Sequence, residues 1–261
     1  MQYLVTSHNL KAKTFELQGK EAYHLAVVLR KKTGDVIRLF DGKDTIFWGL
    51  IERVFAQEIT GRIVDSSPDR YHIPKLPYEV YLYQSLPKGA KWDWVLEKCT
   101  ELGVERFIPI MSARTVVKIE AKELPKKMSR WRKILEAASK QCGVLRIPEI
   151  EEPKSFAEAL KASLSLPSPL VGEGRVRGSL SLGLFAWESE LAKPIWETLK
   201  NIKEKPRAVS IFIGPEGGWT LEEAELAKKA GLIPVGLGPT VLRTETAGIV
   251  AIAMAIASLG I

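Results

Sequence analysis

The sequence is poor in the residues that build metal centres and disulfide frameworks. Only two cysteines, Cys99 and Cys142, and three histidines, His8, His24 and His72, occur in 261 residues. The histidines lack metal-ligand spacing with the cysteines, so no metal is expected. Each cysteine falls in a helix-like stretch, and two such thiols point to a reducing, cytoplasmic setting. Residues 1–10 are mostly polar, unlike a secretory signal. The most apolar segment, from Ala247 onward, has fifteen residues, short of the roughly 20 that cross a bilayer. A buried helix is expected there, and no membrane partner. Also missing are G-x-x-x-x-G-K-S/T and G-x-G-x-x-G, which removes support for nucleoside triphosphate and dinucleotide binding.

What is present is a globular composition, 46% hydrophobic and 26% charged, with a net charge of +7. The excess of base favours a polyanionic partner, although charge alone bears on association and not on fold. Two regions differ in pattern. Residues 1–70 hold DVIRLF, TIFWGLIERV and EITGRIV, with apolar residues at nearly every second position. Asp41-Gly42 between the first two signals a hairpin. Short strands with turn signals predict a small barrel. SSPDRYHIPKLP, which ends at residue 77, holds three prolines, and residues 71–77 read as the linker. From Tyr78 to residue 261, strands alternate with helices, the pattern of a parallel sheet covered on both faces. SLSLPSPLVGEGRVRGSLSLG, residues 163–183, keeps neither period and reads as an inserted surface loop.

Two stretches of the second region carry chemistry. In IFIGPEGGWT, residues 211–220, an apolar strand runs into a turn of three glycines, a proline and one carboxylate. Gly214 precedes Pro215 and so favours extended backbone, where a strand can stop. Gly217 and Gly218 permit positive φ and close backbone approach. Thr220 and Glu223 have capping-box spacing, so a helix is expected to begin there. LIPVGLGPTVLRTET, residues 232–246, repeats the plan: an apolar strand, Gly238-Pro239, then a helix opening near Thr244. Two bare loops at neighbouring strand ends can form one pocket, since open α/β sheets bind ligands at the carboxyl ends of their strands. A tight turn with no ligand is the plainer alternative for either loop.

IGPEGGWT followed by LGPTVLRTETA resembles the RsmE family of SPOUT RNA methyltransferases. HLAVVLRKKTGD (24–35), QSLPKGAKWDWVLEKCTELGV (84–104), PIMSARTVV (109–117), WRKILEAASKQCG (131–143) and PEI (148–150) extend the likeness along nearly the whole chain. The resemblance implies an α/β fold, a SPOUT-type parallel sheet with a C-terminal trefoil knot, preceded by a small PUA-like β-barrel that binds RNA. It implies S-adenosylmethionine-dependent methylation of uracil N3 in the 16S ribosomal RNA of the small ribosomal subunit, by a homodimer. Two other readings stay open: a SPOUT enzyme acting on another RNA atom, and a non-catalytic RNA-binding ribosome assembly factor.

The same resemblance implies a cofactor pocket lined by Gly214, Pro215, Glu216, Gly217, Gly218, Leu237, Gly238, Leu242, Arg243, Thr244, Thr246 and Ala247. Leu237 and Leu242 would sandwich the adenine. Arg114, Arg243 and Glu216 are the catalytic candidates. Arg114 and Arg243 would face the reacting base. Glu216 would bind ribose hydroxyls, act on the proton or brace its loop, and a salt bridge to Glu216 or Glu245 is the plainer duty for Arg243. Arg30, Lys31, Lys88, Lys126, Lys127, Arg130 and Arg146 are candidate RNA contacts. The family usually places an arginine where this chain has Val144, a departure from its pattern, and here arginine appears only at Arg146. Residues 118–140 hold eight lysines and arginines against three glutamates. A basic helix suits a phosphate backbone, whereas Trp131 within it reads as core.

Overall fold

The computed structural model describes residues 2–5, 10–11, 13–65, 76–164, 181–188, 193–202 and 204–260. The chain divides into two compact units. The first comprises Met1–Ile73 and Glu136–Ile147, the second Pro74–Leu135 and Pro148–Ile261. Most of the 163–183 insertion and of the proline-rich stretch ending at residue 77 lies outside the described residues.

The first unit is a six-stranded sheet built from β1 (Tyr3–Leu4), β2 (Leu10–Lys11), β3 (Thr14–Gln18), β4 (Val36–Phe40), β5 (Ile46–Val54) and β6 (Glu58–Asp65). The strand order is β1-β4-β5-β6-β3-β2. All pairs are antiparallel except β1 with β4. Period-two alternation decides which side chains enter the core. In β3, Phe15 and Leu17 are buried while Thr14 and Gln18 are exposed. They pack with Ile37, Leu39, Ile51 and Ile59. The β4–β5 hairpin forms, but over a five-residue connection, 41–45. Asp41 shapes it, its Oδ1 accepting from the amides of Lys43 (2.7 Å) and Thr45 (3.0 Å). A short helix, α1 (Lys20–Tyr23), runs into a π-turn at His24–Val28. There His24 Nδ1 lies 2.9 Å from the Tyr3 hydroxyl.

Residues 136–147 join this unit through the backbone. Gln2 donates from its side chain to Val144 O (2.7 Å) and Ser139 O (3.3 Å), and Ile147 N donates to Gly42 O at 3.2 Å. Lys140 pairs with Glu21 and Glu136.

The second unit holds β7 (Glu79–Ser85), α2 (Lys91–Glu101), β8 (Arg106–Met111), α3 (Leu124–Cys142), β9 (Glu149–Ile150), β10 (Lys154–Ser155), α4 (Phe156–Leu164), β11 (Ser181–Ala186), α5 (Ile195–Lys200), β12 (Ala208–Ile213), α6 (Leu221–Lys229), β13 (Ile233–Val235) and α7 (Thr244–Leu259). The end of α3 belongs to the first unit. The sheet runs β10-β8-β7-β12-β11-β13 with β9 beside β8, and every pairing is parallel. The two central strands, β7 and β12, are buried at every residue, as expected of strands covered on both faces.

Alternate residues of those strands feed two layers. Tyr81, Tyr83 and Phe212 pack with Phe156, Ala159 and Leu160 of α4 and Ala224 and Ala227 of α6. The rings of Tyr83 and Phe212 stack at 4.3 Å. On the other face lies α7, which packs against β7, β12, α2 and α5. Trp131 of α3 is buried and meets Trp92 of α2 edge-on at 6.1 Å. Cys99 is wholly buried in α2, and burial pushes its thiol pKa far up. No helix among the described residues is long and apolar enough to cross a membrane.

The order of the strands reverses direction between β7 and β12. From β7 the chain moves outward to β8, whereas from β12 it moves the opposite way, past β11 to β13. Neighbouring strands whose connections diverge leave a gap at their carboxyl ends, where open α/β sheets bind ligands.

Candidate active site

A cavity of about 560 Å3 is not centred on the β7–β12 divergence but lies beyond the carboxyl ends of β12, β11 and β13. Its walls are residues 186–188 after β11, 213–219 after β12, and 236–244 with Ala247 after β13. A cavity of this size, with mostly apolar walls and a few polar groups, suits a nucleoside-sized ligand.

The loop after β12 is bare for a steric reason. A Cβ on Gly214 would sit 3.0 Å from the indole Nε1 of Trp219. That indole is fixed: it donates to Ala186 O at 3.0 Å and stacks on Phe185 at 4.9 Å. Gly218 has φ +69°, and the Glu188 carboxylate lies where its Cβ would be. The helix after the loop starts as the spacing predicts. Thr220 and Glu223 form a capping box at the start of α6. Glu223 does more than cap: its Oε2 accepts from Thr220 N (3.0 Å) and its Oε1 from Ala113 N (2.8 Å). One buried carboxylate thus ties the loop after β8 to the glycine loop. Glu222 beside it is held below the usual carboxylate range, first by its own backbone N–H and then by the Thr220 hydroxyl.

The second Gly-Pro loop is moored at the start of α7. Thr244 Oγ1 donates to Gly214 O at 2.5 Å, and Gln84 Nε2 of β7 donates to Thr244 O at 3.0 Å. A Cβ on Gly248, one turn further, would collide with Gln84 Oε1. Residues from β7, β12 and α7 therefore lock to one another.

Of the residues expected to hold the cofactor, Gly214, Pro215, Glu216, Gly217, Gly218, Leu237, Gly238, Leu242, Arg243, Thr244 and Ala247 line this one cavity. Thr246 does not. Glu216 braces two loops, its Oε1 accepting from Lys88 N at 3.0 Å. Arg243 is exposed and makes no ion pair or side-chain hydrogen bond among the described residues. Its expected alternative, a salt bridge to Glu245 or Glu216, is not made, because Glu245 pairs with Lys91 at 3.1 Å. Arg114 stands outside the cavity. Its Nη1 donates to Gly217 O (2.8 Å) and Trp219 O (3.4 Å), so it clasps the glycine loop from behind.

The candidate RNA contacts fall into two groups. Lys126 and Lys127 lie near the start of α3, and Lys126 is exposed. Arg30 is exposed in a left-handed conformation, φ +50°. Lys88 precedes α2, whose N-cap is Ala90, so Lys91 and not Lys88 occupies the first turn. The others are engaged: Arg130 pairs with Asp93, Arg146 with Asp44, and Lys31 loosely with Asp35 at 3.9 Å.

Three contributors went unread in the sequence: the wall 186–188, Trp219, and Glu223 in its second duty toward Ala113. The first was within reach, because LFAW reads as a strand and ligands gather just beyond strand ends. The other two depend on contacts between loops far apart in the chain.

Comparison with known proteins fits the geometry. The RNA methyltransferase domain family matches residues 74–256. Ribosomal RNA small subunit methyltransferase E of Bacillus subtilis is 30% identical over 93% of this chain and 89% of its own length. The Aquifex aeolicus protein of that name is 30% identical over 88% of this chain and 89% of its own. Among solved structures, ribosomal RNA small subunit methyltransferase E of Neisseria gonorrhoeae bound to S-adenosyl methionine superposes with TM-score 0.77. It is 28% identical and covers 97% of this chain and 94% of its own. A putative methyltransferase of Legionella pneumophila in complex with the bound cofactor SAM gives 0.76 at 29% identity, over 97% and 96% of the two chains. Fold and site define an RNA methyltransferase. Within that class, the chain belongs to the ribosomal RNA small subunit methyltransferase E family.

Proposed function

We propose that this protein transfers a methyl group from S-adenosylmethionine to N3 of a uridine in 16S ribosomal RNA of the small ribosomal subunit. The observation that carries the reading is the single cavity bounded by the GPEGG and LGPTVLRTETA loops, together with membership of the family. S-Adenosylmethionine fits the residues present, with apolar faces at Leu237 and Leu242 for adenine and bare backbone along 214–218 for close approach. When bound it supplies an electrophilic methyl on a sulfonium.

The chain's own residues then have defined tasks. Uracil N3 carries a weakly acidic proton between two carbonyls, and removing it places negative charge on O2 and O4. The uncommitted guanidinium of Arg243 at the cavity wall suits that charge. S-Adenosylmethionine held by the 214–218 and 237–243 loops would supply the methyl group to N3, once the N3 proton has passed to solvent. Arg114 and Glu216 act at one remove, holding the glycine loop in shape. Lys126, Lys127 and Arg30 are available for phosphates.

Three structural features belong to the same proposal. A C-terminal trefoil knot is supported by the path of the chain, which leaves edge strand β13 and returns so that α7 lies on β7 and β12. A PUA-like RNA-binding barrel for residues 1–70 is supported by the curled six-stranded sheet. A homodimer through α7 is supported by Ile249, Val250 and Met254, which stay partly open on a largely apolar helix.

The test is transfer of labelled methyl from S-adenosylmethionine to small subunits that lack the modification, with large subunits as control. Label confined to 16S ribosomal RNA is expected. Binding of S-adenosylmethionine without transfer to either subunit would overturn the substrate assignment.

A further inference from the structure

Glu188 lines the cavity, yet the proposed chemistry does not use it. It follows β11, and β11 lies between β12 and β13 in the sheet. Glu188 therefore projects from the wall that separates the two Gly-Pro loops. Its carboxylate lies against Gly218, filling the space a Cβ would need. It makes no ion pair or hydrogen bond among the described residues. The other two carboxylates of the site are committed, Glu216 to Lys88 N and Glu223 to Ala113 N and Thr220 N.

An ionised carboxylate accepts hydrogen bonds and cannot donate them. Two such acceptors side by side match a ligand that offers two adjacent O–H donors. In a nucleoside cofactor that is the ribose 2′,3′-diol, the part between the base and the reactive chain. Position agrees with chemistry, because Glu188 stands between one loop and the other. Acids at strand ends of open α/β sheets serve dinucleotide riboses by the same pairing.

We propose that Glu188 binds the ribose diol of S-adenosylmethionine through its two carboxylate oxygens. The inference rests on the methyltransferase reading and assigns a binding residue, not a catalytic one. Gly218 is then glycine for two reasons: its positive φ, and the room it leaves for the carboxylate.

The test is equilibrium binding, followed by calorimetry, of S-adenosylmethionine, S-adenosylhomocysteine and 2′-deoxy-S-adenosylhomocysteine. Wild type, Glu188→Gln and Glu188→Ala are compared, each checked for an unchanged melting temperature. Charged hydrogen bonds of this kind are worth roughly ten- to a hundredfold in affinity. Glu188→Ala should therefore weaken S-adenosylmethionine and S-adenosylhomocysteine equally, by about tenfold or more. The 2′-deoxy analogue should bind worse than its parent to wild type but as well as its parent to Glu188→Ala. Glu188→Gln, with one acceptor left, should fall between. A loss confined to S-adenosylmethionine would overturn the proposal in favour of a charge contact with the sulfonium. A 2′-deoxy penalty that persists in Glu188→Ala would overturn it outright. A wild-type chain that binds none of the three would sink the methyltransferase reading itself.

Discussion

Arg114 and Arg243 look alike in sequence, each following a strand and a small loop, but the structure gives them different work. Arg114 spends its guanidinium on the carbonyls of Gly217 and Trp219. Arg243 keeps its own free among the described residues, at the cavity wall. Arg243→Ala should therefore leave cofactor affinity within a few-fold and lower kcat by about a hundredfold, the usual effect of losing one charge-stabilising donor. Arg114→Ala should raise the cofactor Kd and KM more than it lowers kcat, because it loosens a binding loop. Steady-state kinetics beside calorimetry separate the two, and identical profiles would refute the division of labour. Glu223 offers a cleaner structural test. Glu223→Ala removes a capping box and strands the Ala113 N–H, a combined cost of about 2 kcal/mol, read as a fall of several degrees in Tm. Glu223→Gln keeps one acceptor and should lose less.

At the scale of elements, the sheet was legible because its central strands are continuous apolar runs, and DVIRLF, EVYLYQS and IFI mark strands in the structure as they do in the sequence. The capping box at Thr220 and the start of α7 at Thr244 were legible for local reasons as well. Long-range contacts were not. Nothing in WRKILEAASKQCG announces that its second half bonds to Gln2, because that pairing spans more than 130 residues. Nor does LFAW reveal that Ala186 O holds the Trp219 indole. The three-residue β13 is shorter than the apolar stretch LIPVGL, and Gly236 just beyond it bridges Pro194 instead of extending the β11 pairing. The mooring of α7 yields a prediction at this scale. Thr244→Val deletes the bond to Gly214 O and leaves that carbonyl unpaired, for a loss of about 1–2 kcal/mol in stability. Both Gly-Pro loops should loosen, so cofactor affinity should fall too. Hydrogen exchange over 214–218 and 236–243 should rise in step, and a change confined to one loop would contradict the coupling.

Over the whole molecule, charge and buried phenols set two dependences. Burial, with Glu21 adding, pushes the Tyr3 phenol up to about 12, and burial pushes Tyr81 and Tyr83 higher still. Below pH 10 these groups are protonated in both folded and unfolded chains, so their contribution is fully present. As pH rises from 10 through 12 the unfolded chain ionises first, and stability drains away. The denaturant midpoint should fall steadily above pH 10, and a flat midpoint to pH 11.5 would contradict the burial of these rings. The net charge of +7 predicts salt-sensitive RNA binding. Charge reversal at Lys126 and Lys127 should weaken binding across RNA sequences and flatten its salt slope by about two phosphate contacts, with cofactor affinity unchanged.

Nucleoside mass spectrometry decides the target atom, on small subunits lacking the modification and incubated with S-adenosylmethionine and either wild type or Arg243→Ala. Methylation at uracil N3 with Arg243 as the charge-stabilising group should give one new N3-methyluridine with wild type and almost none with the variant. A methyl group on a ribose oxygen or on another base would contradict it, as would full methylation by Arg243→Ala.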